Sequence, residues 1–308
     1  MPEDSTIAPP LVTIITVTYN SSLFVSQTIE SVLAQTYKNI EYIIGDDCSS
    51  DDTWNIINQY QDNRIKKYRN ETNLREYPNR NKALQMATGK YLVFIDGDDV
   101  IYPHGIAAFL SFAMKFPDCG MYFSREWDHK ILCPYKISPV DIYRFDFLDK
   151  GIIGGNFTNV FFNTAILQET KLPLNIVTGD TYVQLVIAKK YPALIIPDGL
   201  TFWRRRQGNA TEIFFGSAKS YAETIGYRLA MLNEDCPLNE AETHLARRNL
   251  YGVFLKKAVR LTLKGKIKDA IYLLRTIDIP VKYYSSLFFK GRYNYFDFVK
   301  GDNPLHSN

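Results

Sequence analysis

The sequence predicts an α/β fold with a parallel, doubly wound sheet, followed by a helical extension. Three observations carry that expectation. Short apolar runs rich in β-branched and aromatic residues, such as 11–18 and 91–95, read as strands buried on both faces. Segments with apolar residues at helical spacing alternate with them through short connections. After Gly216 the strand-like runs stop and only helical patterns follow.

Residues 11–18 make a first strand of high β propensity. Tyr19, Asn20, Ser21 and Ser22 break it and supply helix caps; from Val25, apolar residues recur at Ile29, Val32 and Leu33, the spacing of one helix face. A second strand over 40–45 runs into Asp46, Asp47, Cys48, Ser49, Ser50, Asp51, Asp52 and Thr53. Asp51 or Asp52 then caps a helix carrying Trp54, Ile57 and Gln61. A short strand follows at 65–68, and a helix over 78–87 has Asn79 as a candidate cap and Gly89 closing its end.

The strand at 91–95 is followed at once by three carboxylates, Asp96, Asp98 and Asp99. A helix over 103–116 and a strand over 119–124 come next. Residues 126–162 mix short extended pieces with a helix near 139–148, an irregular sequence that suits a substrate-facing wall. Asp180 begins a helix with Val183, Ile187 and Tyr191 on its core face, and 193–203 is strand-like, running into Arg204, Arg205 and Arg206. In the helical region Leu250, Phe254, Ala258 and Leu261 share one face, and Ile267, Ile271 and Leu274 another. Lysines and arginines, among them Lys256, Lys264 and Lys268, decorate these helices, and 283–298 is dense in Tyr and Phe.

A chain of 308 residues, 46% hydrophobic and 22% charged, has the composition of a globular protein with a sizeable core. Its net charge of +3 divides unevenly: residues 216–308 hold 15 Lys/Arg against 9 Asp/Glu, and residues 1–215 hold 21 against 24. An acidic body and a basic tail follow. Cys48, Cys119, Cys133 and Cys236 are scattered, which argues against a disulfide framework or zinc site and for a reducing cytoplasm. Residues 1–10 are acidic and proline-bearing, unlike a signal peptide, and no apolar segment approaches the length that spans a bilayer. The expectation is a soluble or peripheral protein, and the arginine tract at 204–206 is too short to suggest nucleic acid.

Open α/β sheets bind ligands beyond the carboxyl ends of their strands. Three acids gathered there repel one another unless positive charge sits between them. A hard divalent cation with a diphosphate on its far side meets that need. The other reading is an acidic turn in which Asp98 or Asp99 caps the next helix.

Three features stand in order: a strand and Thr18-Tyr19-Asn20; a strand and Asp46-Asp47-x-Ser49-x-Asp51; a strand and Asp96-x-Asp98-Asp99. Together with Arg80-Asn81 ahead of the acids, they resemble the family 2 glycosyltransferases of the GT-A fold over roughly residues 10–212. That resemblance implies a Rossmann-like nucleotide-diphospho-sugar transferase domain at 11–215, behind a tail at 1–10 and ahead of a helical region at 216–308. It implies transfer of a hexosyl or N-acetylhexosaminyl group from a nucleotide sugar, usually a UDP-sugar, with inversion.

By the same resemblance, Tyr19 beside Thr18 stacks on the base and Asp47 accepts the uracil imino N–H. Asp96 contacts the ribose, and Asp98 with Asp99 holds Mn²⁺ or Mg²⁺ against the diphosphate. Arg80 adds a fixed positive charge or stands as a solvated helix arginine. The base is expected at Asp180, in Thr178-Gly179-Asp180, where relatives usually read Glu-Asp; the other reading of Asp180 is an N-cap. Two further departures are Cys48 in place of the usual Gly, and Arg206 in place of a His, which leaves phosphate contact as its role.

Relatives of this size commonly build cell-surface polysaccharides on a glycan or lipid-linked acceptor at the inner face of the membrane. The basic, aromatic tail fits peripheral membrane contact, or packing as core or against a second subunit. A nucleotidyltransferase is the competing enzyme, though 18–22 lacks its glycine-rich basic loop, and an inactive nucleotide-sugar-binding partner is the third reading.

Overall fold

The computed structural model of the chain describes residues 8–124, 133–149, 151, 153–154, 156–176, 178–204 and 217–288. They fall into two compact units. One comprises Met1–Ile137, Gly155–Asn175 and Tyr191–Arg205; the other comprises Ser138–Gly154, Ile176–Lys190 and Arg206–Asn308. Both units therefore draw on residues ahead of 216.

The first unit is built on an eight-stranded sheet. Its strands are β1 (Val12–Thr18), β2 (Ile40–Asp46), β3 (Ile65–Arg69), β4 (Tyr91–Phe94), β6 (Met121–Ser124), β7 (Tyr135–Ile137), β8 (Val160–Asn163) and β9 (Ala193–Ile196). Their order across the sheet is β3-β2-β1-β4-β8-β6-β9-β7. The first four are parallel, with Val12 opposite both Ile40 and Tyr91. Every residue of β1, β2 and β4 is buried, which is why they read as unbroken apolar runs.

The sheet is mixed rather than wholly parallel, because β8 runs antiparallel to both β4 and β6. This strand lies within the stretch expected to be an irregular wall. Val160, Phe161 and Phe162 are instead at the centre of the core, and Phe109 stacks on Phe161 with ring centroids 4.2 Å apart. The strand expected over 193–203 is likewise two: β9 in the large sheet, and β10 (Thr201–Phe202), which pairs antiparallel with β5 (Val100–Ile101). Gly199, at φ +79°, turns the chain between them without the steric penalty of a Cβ.

Five helices belong to this unit: α1 (Val25–Leu33), α2 (Thr53–Gln59), α3 (Glu76–Gln85), α4 (Gly105–Ala113) and α6 (Thr164–Thr170). α1 buries Val25, Ile29 and Val32, the predicted face. α3 starts at Glu76, ahead of the predicted cap. Asn79 lies inside the helix, its amide donating to the Gly45 carbonyl at 3.1 Å and its oxygen accepting from the Tyr68 hydroxyl at 2.9 Å.

The second unit is helical: α5 (Pro139–Leu148), α7 (Gly179–Ala188), α8 (Ala218–Met231), α9 (Glu240–Leu263), α10 (Ile267–Thr276) and a 3₁₀ run at Val281–Phe288. Asn239 and Glu242 form a capping box at the start of α9. Leu250, Phe254, Ala258 and Leu261 are buried along it. On α10 the inward residues are Ala270 and Leu273, while Ile267, Ile271 and Leu274 face solvent. A buried ion pair joins Arg228 of α8 to Asp146 of α5, whose Oδ1 also accepts the Ile153 N–H at 3.2 Å. Among the described residues no helix is long and apolar enough to cross a membrane.

Candidate active site

β1, β2 and β4 are parallel, so their carboxyl ends open on one edge, with Thr18 opposite Asp46 in register. That edge collects Thr18, Tyr19, Asp46, Asp47 and the turn from Asp96 to Asp99. Tyr19 is 50% exposed, so its ring is accessible at that edge. Asp46 is fully buried and accepts from the Thr18 hydroxyl at 3.2 Å and the Ser49 N–H at 3.1 Å, with the Arg69 guanidinium 3.3 Å away.

Asp47 is also buried. Its Oδ1 accepts from the Leu74 N–H and the Asn70 amide, both at 2.9 Å, and its Oδ2 accepts the Arg75 N–H at 2.8 Å. These bonds hold Arg75 at φ +74°, which swings the chain into α3 without a side-chain cap. Cys48, in the expected glycine position, takes φ +61°. The turn keeps its glycine-like shape and the Cβ bears the strain.

Arg80 is not a solvated helix arginine. It is 3% exposed, its guanidinium sits 5.2 Å from the Phe94 ring and 4.9 Å from the Phe157 ring, and it reaches Asp96 at 2.7 Å and Glu76 at 3.0 Å. Burial pushes the Asp96 carboxyl up, the Arg80 charge pulls against it, and the Glu76 and Asp98 charges add to the rise. Asn81 does structural duty, bonding the Leu172 N–H and carbonyl at 3.0 and 2.9 Å.

The acids beyond β4 divide by environment. Gly97 lets the turn press on β1, since a Cβ there would lie 2.8 Å from Thr18 Cγ2. Asp98 is partly exposed. Asp99 is 1% exposed, with Oδ1 accepting the Arg204 N–H at 2.8 Å and Oδ2 accepting the Thr158 hydroxyl at 2.5 Å. Burial, with the Asp96 charge adding to it, raises the Asp99 carboxyl to about 8. Both Asp99 oxygens accept from protein donors, which braces the turn that presents Asp98.

Arg204, which the sequence presents as the first of three arginines at a solvated strand end, is tied to the acidic turn. Its Nε donates to the Asp98 carbonyl at 2.8 Å, its Nη2 donates to Gln27 Oε1 at 2.8 Å, and the guanidinium lies 4.8 Å from the Phe24 ring. The β5–β10 pairing brings it there, and no local signal announces that pairing. Arg206 lies outside the described residues.

Asp180 is on α7, in the second unit. Thr178 occupies the N-cap position, so Asp180 is in the first turn, where the helix dipole favours its negative form. Its Oδ1 accepts the Thr181 N–H at 2.7 Å. α8 secures this turn: the Thr178 hydroxyl lies 3.0 Å from that of Tyr227 and 3.2 Å from that of Thr224.

Among the described residues no group of three or more His, Cys, Asp or Glu could hold a metal ion alone. The donors at the sheet edge fit the other mode, in which one or two carboxylates share Mg²⁺ or Mn²⁺ with substrate phosphates and water. Asp98 can be that carboxylate.

Residues 13–159 match the family model described as Glycosyl transferase family 2. The chain is 49% identical over 89 residues to UDP-Glc:alpha-D-GlcNAc-diphosphoundecaprenol beta-1,3-glucosyltransferase WfaP of Escherichia coli, covering 29% of this chain and 36% of that protein. It is 41% identical over 117 residues to the putative teichuronic acid biosynthesis glycosyltransferase TuaG of Bacillus subtilis, covering 37% and 46%. The matches thus span less than half the length of these relatives. In three dimensions the chain is similar to S. aureus TarS 1-349 in complex with UDP-GlcNAc, with a TM-score of 0.65 at 19% identity over 89% of this chain and 81% of that one. It is also similar to the mannosyltransferase PcManGT of Pyrobaculum calidifontis, with a TM-score of 0.61 at 17% identity over 94% and 82%.

Proposed function

We propose that the chain is an inverting, metal-dependent glycosyltransferase of family 2 using a UDP-sugar; the match of residues 13–159 to the family 2 model and the similarity in fold to solved glycosyltransferases support this. The acceptor is a glycan or a lipid-linked sugar of cell-surface polysaccharide synthesis, reached from the cytoplasm. Curated relatives named for UDP-glucose and for diphosphoundecaprenol acceptors support the donor and acceptor classes.

In this reading residues 11–215 carry the chemistry. Tyr19 stacks on uracil beside Thr18, and Asp47, braced by the 70–75 loop, offers an oxygen to the imino N–H. Asp96 meets the ribose while Arg80 holds its carboxylate in place, and Asp98, with Asp99 beside it, would hold Mn²⁺ or Mg²⁺. Bound there, the cation supplies charge stabilisation to the departing diphosphate. Asp99 and Arg204 fix the turn that presents Asp98. Asp180 accepts the acceptor hydroxyl proton as that oxygen bonds to the anomeric carbon. The bond from that carbon to the diphosphate breaks, its electron pair leaves with UDP, and the configuration inverts. Arg206 is assigned to phosphate contact.

The observation that carries this reading is the gathering of Tyr19, Asp47 and the Arg80-paired Asp96 turn at the carboxyl ends of the parallel strands β1, β2 and β4. The experiment is a nucleotide-sugar screen, read as UDP release with and without Mn²⁺. Metal-dependent UDP release with one donor is expected. Pyrophosphate release instead marks a nucleotidyltransferase, and donor binding with no release marks an inactive partner.

A further inference from the structure

The second unit turns an apolar stripe outward between Leu263 and Phe288. On α10, Ile267, Ile271 and Leu274 recur at helical spacing and are 56%, 45% and 49% exposed. Ala270 and Leu273 flank the stripe on one side and pack inward. Lys268 and Arg275, both exposed, border it on the other. Leu263, 83% exposed at the end of α9, continues the apolar surface next to exposed Lys264. Over residues 262–288 the exposed charged side chains are five basic and one acidic, Asp278.

A helix serving only its own core would place polar residues where Ile267, Ile271 and Leu274 stand. We propose that this face docks on an anionic lipid bilayer. α10 lies in the interface plane, the three apolar side chains enter the acyl boundary, and Lys268 and Arg275 meet headgroup phosphates. Ten residues are too few to span a bilayer and enough to lie on one.

The one-sided charge selects the occupant. A second copy of this face would set basic border against basic border, with only Asp278 and the half-buried Asp269 to offset five basic side chains. An acidic leaflet supplies counter-charge along the whole border. The proposal does not depend on the transferase reading.

The test is co-sedimentation of the full chain with vesicles of phosphatidylcholine alone, or mixed with phosphatidylglycerol. The chain is expected to pellet with the anionic vesicles, to stay in solution with the neutral ones, and to be released by salt. Ile271→Glu should weaken partition by roughly tenfold or more, and Lys268→Glu with Arg275→Glu should remove the preference for anionic lipid. These side chains are exposed, so thermal unfolding should not move in either variant. Equal partition onto both vesicle types, or none onto either, overturns the proposal. So does a concentration-dependent dimer that Ile271→Glu splits. UDP release by the same preparation is read separately, which keeps a failure of docking distinct from a failure of transfer.

Discussion

Arg80 meets Asp96 at 2.7 Å with its guanidinium packed against the adjoining rings of Phe94 and Phe157. The pair ties α3 to the turn after β4, so one contact serves both the fold and the proposed nucleotide site. Removing one partner leaves the other charge in a desolvated place. Arg80→Ala should therefore cost about 3 kcal/mol of stability in a urea unfolding curve. Arg80→Lys keeps the charge but loses the planar fork and the ring stacking, and should still weaken UDP binding by calorimetry. Wild-type stability in Arg80→Ala would remove the pair from this role.

Asp98 and Asp99 are neighbours with opposite expected phenotypes. Asp98→Ala should leave the unfolding midpoint close to wild type and abolish Mn²⁺-dependent UDP binding. Asp99→Ala strands the Arg204 N–H and the Thr158 hydroxyl, and should lower stability by about 1–3 kcal/mol. Equal UDP affinity for wild type and Asp98→Ala would count against the cation assignment.

Asp180→Asn keeps the size of the side chain and removes its basicity. Donor affinity should hold while transfer falls by at least about a hundredfold. Full turnover by this variant would move the base elsewhere.

Glu41 gives a stability test away from the site. Burial opposes its ionisation, but Lys66, Thr13 and Thr88 bond the carboxylate and together lower it from 4.5 to about 2. The Gly89 N–H also donates to it, at 3.0 Å. The folded chain therefore holds this proton less tightly than the unfolded one. Its contribution is complete above pH 4.5 and is lost as pH falls towards about 2. Thermal unfolding across that window should show a steeper loss for wild type than for Glu41→Gln. Parallel curves would contradict it.

Much of the fold was legible. The strands at 12–18, 40–45 and 91–94 are fully buried, so each appears as an apolar run that nothing local contradicts. Other parts were not. β8 was missed because Val160–Asn163 is short and sits amid irregular sequence. Its pairing with β4 and β6 is non-local, and local pattern carries no trace of such a choice. Asn79 read as a cap because it follows Pro78, whereas the chain enters α3 through backbone bonds made to Asp47, 28 residues earlier than Arg75.

The sequence by itself determined the α/β alternation and the order of acids after strands, because burial on both faces and turn chemistry are written within a few residues. Only the tertiary structure decided that Arg80 is buried against two rings, that Asp99 accepts from Arg204 and Thr158, and that the Ile267 stripe faces outward. Each of those depends on which distant segment arrives alongside. Sequence spacing records a residue's own helix or strand, and the partner across the gap is set by packing.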